Sequence, residues 1–319
     1  MMNKKHNLLM VGVFSLGMVS AGAALARETV DESKSASVDG VVRINVVRGE
    51  LTIEGWDKDE IKVSGKLDEK YEEFIFEVDD DDAVIRVKIP SGRNSWCCDE
   101  GSDLTIKVPL QSKLHIGVVS TDIEAENILG GLDVNGVSGN IRVEKIRQRI
   151  HLTTVSGEVD VRDVEGRVRV RSVSGDIEAF DVQGVQRYHS VSGNVLVKDV
   201  SDDLDLESVS GDLELIAGVL NSVRGHSVSG DIDLQTELRS GASIEFDSIS
   251  GTIRLRLSGD LDAKFDLQTG SGSIRNRITS DRPQESKYVR DETLRFVVGE
   301  GEGEVTISTR SGDIILSTN

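Results

Sequence analysis

A tripeptide, V-S-G, returns along this chain at a fixed interval. Its serine occupies positions 138, 156, 174, 192 and 210, each 18 residues after the one before. Val228-Ser229-Gly230 and Ile249-Ser250-Gly251 follow at slightly longer steps. A fixed period of this length indicates a solenoid or a similar repeat array, in which each repeat stacks only on its neighbours.

Each 18-residue period divides into two nonapeptides with the same apolar pattern. From Leu114 to Asp212, eleven nonapeptides are apolar at positions one, three and six in 32 of 33 places, and Gln186 is the exception. With 37% hydrophobic residues in the chain, chance gives about 12. Apolar–polar–apolar is a short strand with alternate side chains inward, and we expect the sixth residue to turn inward as the chain bends. These spacings do not give the single 3.6-residue period of a helix.

The pattern predicts an all-β fold, namely a parallel β-solenoid (β-helix) of 18-residue coils built from paired nonapeptides. About ten coils spaced about 4.8 Å apart would make a stack about 50 Å long. We expect the solenoid over residues 114–319, with an interrupting loop at 276–303. Strand-like runs at irregular spacing predict a β-rich N-terminal cap region over residues 27–113, which would cover the exposed sheet edge.

The V-S-G sites are predicted to be structural turns. Glycine takes positive φ without steric cost, so Ser-Gly followed by Asp, Asn or Glu suits a tight corner between two strands. The predicted turn residues are Ser138, Gly139, Ser156, Gly157, Ser174, Gly175, Ser192, Gly193, Ser210, Gly211, Ser229 and Gly230.

The residue after each corner glycine is often acidic. Carboxylates stacked about 5 Å apart repel each other, and a bound cation would relieve that repulsion. Asp176, Asp212 and Asp231 are therefore weak calcium candidates. Asn140 and Asn194 interrupt the column, and amides can form ladders without a metal. The sequence favours a solvated turn ladder and predicts neither a metal site nor a cofactor.

Two outward columns of the predicted coils alternate loosely between basic and acidic side chains. This alternation predicts cross-strand ion pairs. One column contains His151, Arg169, Arg187, Asp205, Arg224 and Glu245, and the other contains Arg171, His189, Glu207, His226 and Asp247.

Residues 1–26 have the layout of a secretory signal peptide. Lys4 and Lys5 precede an apolar run over residues 8–19, and Ala24-Leu25-Ala26 is a small-x-small cleavage site. We predict an exported protein with no integral membrane segment after cleavage. The periplasm is the favoured compartment, with the cell surface or the medium as alternatives.

Cys97 and Cys98 are the only cysteines. Adjacent Cα atoms lie about 3.8 Å apart, below the usual disulfide range, so a vicinal bridge would be strained. Export to an oxidising compartment favours oxidation, and a local vicinal disulfide is the leading prediction. An intermolecular bridge, a redox or metal role, and an inert thiol pair are the alternatives.

The charge balance excludes some classes of partner. The chain has 37 Lys and Arg against 56 Asp and Glu, a net charge of −19. Such acidity argues against nucleic acid and against anionic lipid surfaces. The repeated serines are equivalent, and none lies in G-x-S-x-G, so the sequence predicts no enzyme.

The chain resembles the bacterial "putative adhesin" family of β-strand-repeat proteins over about residues 38–319. The matching pieces are Gly49 to Asp57, the strand Asp103 to Pro109, the serial V-S-G turns, and the closing Thr309 to Ile314. The resemblance implies an exported or membrane-tethered β-solenoid with a repeated S-G-D turn. Members of such families are sometimes linked to envelope-stress regulation.

We therefore expect a non-enzymatic, exported cell-envelope β-solenoid that acts as an interaction or scaffold module. Its partner would be a protein or an envelope polymer, and end-to-end self-association is a further expectation. One alternative is an adhesin-like surface protein that mediates cell or matrix contact. Another is an envelope-stress accessory factor that binds a regulator.

Overall fold

The computed structural model describes residues 27–90, 100–285 and 290–318. The predicted signal peptide and the Cys97–Cys98 pair lie outside the described residues. All secondary-structure elements within these described residues are β-strands, so the all-β prediction is confirmed.

The strands form one hydrogen-bonded sheet that wraps into a stack. They are β1 (Thr29–Ser35), β2 (Val41–Trp56), β3 (Glu60–Lys66), β4 (Glu73–Asp79), β5 (Asp82–Lys88), β6 (Ser102–Pro109), β7 (Lys113–Glu126), β8 (Leu132–Asn135), β9 (Ile141–Ser156), β10 (Val159–Ser174), β11 (Ile177–Ser192), β12 (Val195–Lys198), β13 (Asp202–Ser210), β14 (Leu213–Ser229), β15 (Ile232–Ser250), β16 (Ile253–Ser258), β17 (Ala263–Thr269), β18 (Ile274–Asn276), β19 (Gln284–Glu285), β20 (Glu292–Val298), β21 (Gly303–Ser311) and β22 (Ile314–Thr318).

Each coil crosses two faces of the stack. We name face A the segments aligned with residues 159–162, and face B the segments aligned with residues 167–172. On face A Val159 pairs in parallel with Ile177, and on face B Val168 pairs with Gln186. Partners here are 18 residues apart, and inward aliphatic side chains from both faces fill one continuous core.

Two different corners join the faces. At the V-S-G corner the glycine takes positive φ, as at Gly157 (+122°). A Cβ on Gly157 would lie 2.1 Å from the carbonyl oxygen of Gly139 in the preceding coil, so only glycine fits. At the other corner Asp163 (+47°) and Gly166 (+138°) both take positive φ, with buried Val164 between them.

The V-S-G valine does not turn inward as the sequence pattern predicted. Ser172 is buried in the corner, whereas Val173 is 46% exposed. Side chains alternate strictly between inside and outside along this strand. Val170 points inward, so Ser172 is the next inward residue and Val173 points outward. The sixth-position prediction is correct only at the other corner, where Val164 is buried.

The region predicted as an N-terminal cap contributes a coil of its own. Strand β2 pairs in parallel with β7 along almost its whole length, so the boundary predicted at residue 113 falls inside the parallel stack. On its other side β2 pairs with β5 and β6. Antiparallel strands β3 and β4 then pair with β6 and β5, and β1 pairs with β3.

The far end of the stack is not in chain order. The last strands, β21 and β22, insert between the coil of β15–β16 and that of β17–β18. Strand β20, which belongs to the predicted 276–303 loop, pairs antiparallel with β17. The rings of Phe265 and Phe296 stack there with centroids 4.5 Å apart.

Gln186, the one exception to the apolar pattern, has a partner in the core. Tyr188 is completely buried, and its hydroxyl donates to Gln186 Oε1 at 3.0 Å. Gln186 Nε2 donates to the carbonyl oxygens of Val182 and Ser201, at 3.1 and 3.0 Å. Burial raises the pKa of Tyr188, so the phenol stays neutral and keeps its donor proton.

The corner stack predicts a large effect for Gly157→Ala. The new Cβ would meet the Gly139 carbonyl oxygen, and positive φ alone costs about 1–3 kcal/mol at a non-glycine residue. We expect a clearly lower free energy of unfolding in urea titrations. Gly218→Ala is the matched control, because a Cβ there has no heavy atom within 4 Å. Equal stability of the two variants would contradict this account.

The buried polar pair predicts a non-additive double substitution. Gln186→Leu leaves the Tyr188 hydroxyl without its acceptor, at a cost of about 1–3 kcal/mol. Adding Tyr188→Phe removes the hydroxyl that has lost its acceptor, so the double variant should recover much of the lost unfolding free energy. Thermal and urea unfolding of all four proteins measures the coupling, and purely additive losses would exclude it.

Candidate interaction surfaces

The corner residues after the glycines form a hydrogen-bonded ladder. Asp176 Oδ1 accepts the backbone N–H of Asn194 at 2.7 Å, and Asn194 Oδ1 accepts that of Asp212 at 2.9 Å. Asp212 Oδ1 accepts the N–H of Asp231 at 2.8 Å, and Asp231 Oδ1 that of Thr252 at 2.9 Å. Each side chain therefore ties its coil to the next one.

The electrostatics of Asp231 follow from this ladder. Burial raises the pKa of its carboxyl, but the hydrogen bond from the Thr252 N–H and the ion pair with Arg254 (2.9 Å) outweigh burial and hold that pKa below its usual value. Among the described residues, no group of three His, Cys, Asp or Glu side chains is arranged to hold a metal ion. The ladder gives Asp176, Asp212 and Asp231 a structural role, and their binding of calcium stays a prediction.

Face B has ion pairs over part of the two charge columns. Arg187 Nε lies 2.8 Å from Asp205, and His189 Nδ1 lies 2.8 Å from Glu207. Arg224 Nε lies 3.0 Å from Glu245. The predicted cross-strand pairing is therefore present at these positions, and also at His151, whose Nδ1 lies 3.6 Å from Asp133.

Four arginines of face B lack such a partner. Arg149, Arg167, Arg169 and Arg171, which we name the basic cluster, make no ion pair or side-chain hydrogen bond within the described part of the chain. Three of the four are exposed and Arg169 is half-buried. The cluster is a local concentration of positive charge on a chain whose net charge is −19.

The register places the basic cluster side by side. Arg167 pairs directly with Arg149, and Arg169 lies between His151 and Arg187. Within β10, Arg167, Arg169 and Arg171 alternate outward, so neighbours along the strand are about 6.8 Å apart. A groove of about 390 Å³ adjoins the cluster, with Arg167, Arg169 and Arg187 on the cluster side and Asp203 and Asp205 on the far side.

Face A has the opposite character near β2. A groove of about 310 Å³ there is lined by Glu50, Asp122, Glu124 and Glu158 with other residues. Nearby Asp160 is buried, and it accepts hydrogen bonds from Arg142 at 3.1 Å and Arg162 at 2.8 Å. Acidic and basic surfaces therefore occupy opposite faces of neighbouring coils.

Comparison with known proteins identifies the family. The Toastrack DUF4097 family matches residues 42–240 and 187–317, which together include most of the chain. The chain belongs to the Toastrack DUF4097 family. No curated protein is significantly similar to this Toastrack chain in sequence.

Two solved structures are similar to this Toastrack chain at low identity. A "putative cell adhesion protein" from Clostridium sporogenes is 13% identical over 92% of this chain and all of that one, with a TM-score of 0.24. A "putative adhesin" from Bacteroides fragilis is 12% identical over 92% of this chain and 99% of that one, with a TM-score of 0.34. Adhesion appears only in the names of these two proteins.

The structure of the Toastrack chain brings the predicted site residues into continuous columns. The V-S-G serines Ser138, Ser156 and Ser174 align across coils. The basic cluster was missed, although the 18-residue period already places Arg149 beside Arg167. Among the described residues, none forms a helix long and apolar enough to span a bilayer.

The Toastrack corner ladder predicts that an amide can replace a carboxylate. Asp212→Asn keeps an oxygen for the Asp231 N–H, so we expect stability within about 0.5 kcal/mol of the parent. Asp212→Ala leaves that N–H without its acceptor, and we expect a loss of about 0.5–1.5 kcal/mol. Urea titration measures both, and neither calcium nor EDTA should change the melting temperature. Calcium stabilisation that Asp212→Asn abolishes would instead support a metal site.

Proposed function

We propose that this chain is a non-enzymatic interaction module of the cell envelope that binds a linear anionic polymer across face B. The basic cluster carries the proposal, because it places four unpaired arginines together on a strongly acidic protein. The compartment follows from the predicted signal peptide and is part of the proposal.

Folding alone does not favour the basic cluster. Like charges on adjacent strands destabilise a sheet, and neighbouring coils show how the fold avoids them. Arg187 has Asp205 as its partner one coil away, whereas Arg167 has Arg149. An anion bound over the cluster would supply the missing negative charge.

Arginine is suited to the proposed ligand class. Its planar guanidinium donates two parallel hydrogen bonds to a carboxylate or a phosphate. The cluster lies on an open, regular face, with cations about 4.8 Å apart between coils and about 6.8 Å apart along β10. A chain with repeated carboxylate or phosphate groups can meet several of these cations at once. Uronate polymers and polyphosphate share this chemistry.

The test compares polymer binding by the parent protein and by Arg149→Ser/Arg167→Ser/Arg169→Ser. We expect binding to polygalacturonate or polyphosphate, none to uncharged dextran, and about tenfold weaker binding by the triple variant. Three surface charge contacts at about 0.2–1 kcal/mol each give a loss of this order. Binding should also weaken as NaCl is raised. Calorimetry or biolayer interferometry measures the affinities.

The matched control is Lys66→Ser/Arg277→Ser/Arg282→Ser, which removes three exposed cations that lie outside face B. It changes the net charge equally, so it separates local recognition from overall charge. Equal weakening by both triple variants, or equal binding of dextran, would overturn the proposal. Preference for one of the two polymers would show which anionic group the cluster accepts.

A further inference from the structure

A continuous row of aliphatic side chains runs along the V-S-G corner; its members are exposed except for Val119 and Val228, which are half-buried. Each member precedes one of the serines that align across coils. We name this row the valine edge, and it consists of Val119, Val137, Val155, Val173, Val191, Val209, Val228 and Ile249.

The fold does not need the valine edge. The inward position beside it belongs to a small polar residue, as at Ser172, and Val137, Val173 and Ile249 are 46–47% exposed. Threonine is also β-branched and favours strands equally, and its hydroxyl would suit a solvent-exposed position better than a valine methyl group. Eight aliphatic residues over seven steps of about 4.8 Å make a stripe about 34 Å long. Continuous exposed apolar patches mark contact sites.

Opposite charges flank the middle of the valine edge. On the face B side lies Arg171, which sits two residues before Val173 and has no ion pair among the described residues. On the side of the corner ladder lie Glu158 and Asp176, and Glu178 follows on face A. The surface therefore changes from positive to negative across the stripe.

We propose that the valine edge binds a second copy of this chain, with the two stacks side by side and pointing in the same direction. A two-fold axis parallel to the stack places each valine opposite the same valine of the other copy. It also sets the positive flank of one copy against the negative flank of the other. A two-fold axis perpendicular to the stack would instead oppose the two positive flanks.

The valine edge alone is too small for a stable dimer interface. A stripe about 34 Å long and about 10 Å wide covers about 340 Å², whereas a stable dimer buries about 800 Å² per subunit. The flanking charged columns must supply the remainder, so charge decides the orientation. Arg149 and Arg167 lie at the opposite end of face B and stay exposed, whereas Arg171 belongs to both surfaces. The test below contains no polymer, so its outcome is independent of polymer binding.

Single cysteines test both the dimer and its direction. The background is the full chain with Cys97→Ser and Cys98→Ser, into which Val137→Cys, Val173→Cys or Val209→Cys is placed. The proposed dimer brings each cysteine opposite its own copy, so all three variants should form disulfide-linked dimers under mild oxidation. Non-reducing gels at increasing protein concentration measure the yield.

The control is Val185→Cys, because Val185 is equally exposed (49%) but lies at the other end of face B. Cross-linking at only one of the three edge positions would indicate an antiparallel pair and overturn the proposed direction. Yields no higher than that of Val185→Cys would overturn the dimer. Sedimentation of Val155→Ser/Val173→Ser/Val191→Ser gives an independent reading, since we expect it to shift towards monomer while its far-UV spectrum stays unchanged.

Discussion

The glycine stack at the V-S-G corner is the contact on which the rest of the structure depends. A Cβ on Gly175 would lie 2.1 Å from the Gly157 carbonyl oxygen, and a Cβ on Gly211 would lie 2.2 Å from that of Gly193. Backbone meets backbone at this corner, so consecutive coils have no freedom to shift. The corner thereby fixes the register on both faces, and every outward position becomes a column.

The second corner absorbs the variation that the first cannot. The serine-to-serine step grows from 18 residues to 19 and then 21 after Ser210, yet Ser210, Ser229 and Ser250 still align. The register shifts fall on the opposite side, between Ile216 and Val219 and between Leu220 and Ser222. Extra residues can loop outward there, because Gly218 has open space around it.

The repeat predicted the all-β fold, because apolar alternation with a fixed period has few other solutions. It misplaced Val173, because a sixth-position apolar residue was read as buried, whereas strand alternation assigns Ser172 to the inside. The insertion of β21 between β15 and β17 could not be predicted from the sequence, because the period does not show which coil stacks on which. The 18-residue period does place Arg149 beside Arg167, but the alternation of each column as a whole hides this single like-charge pair.

A solenoid of this kind separates what the fold requires from what it leaves free. The glycine corner, the inward aliphatic residues and the Asp176–Asn194–Asp212 ladder are all used to hold one coil on the next. The basic cluster and the valine edge contribute nothing comparable, and each carries a cost in water, through like-charge repulsion and through exposed apolar surface. Residues that cost stability in the isolated chain are explained most simply by a bound partner. Because the valine edge repeats with the spacing of the coils, its partner must itself be extended and regular, as a second copy of the stack is.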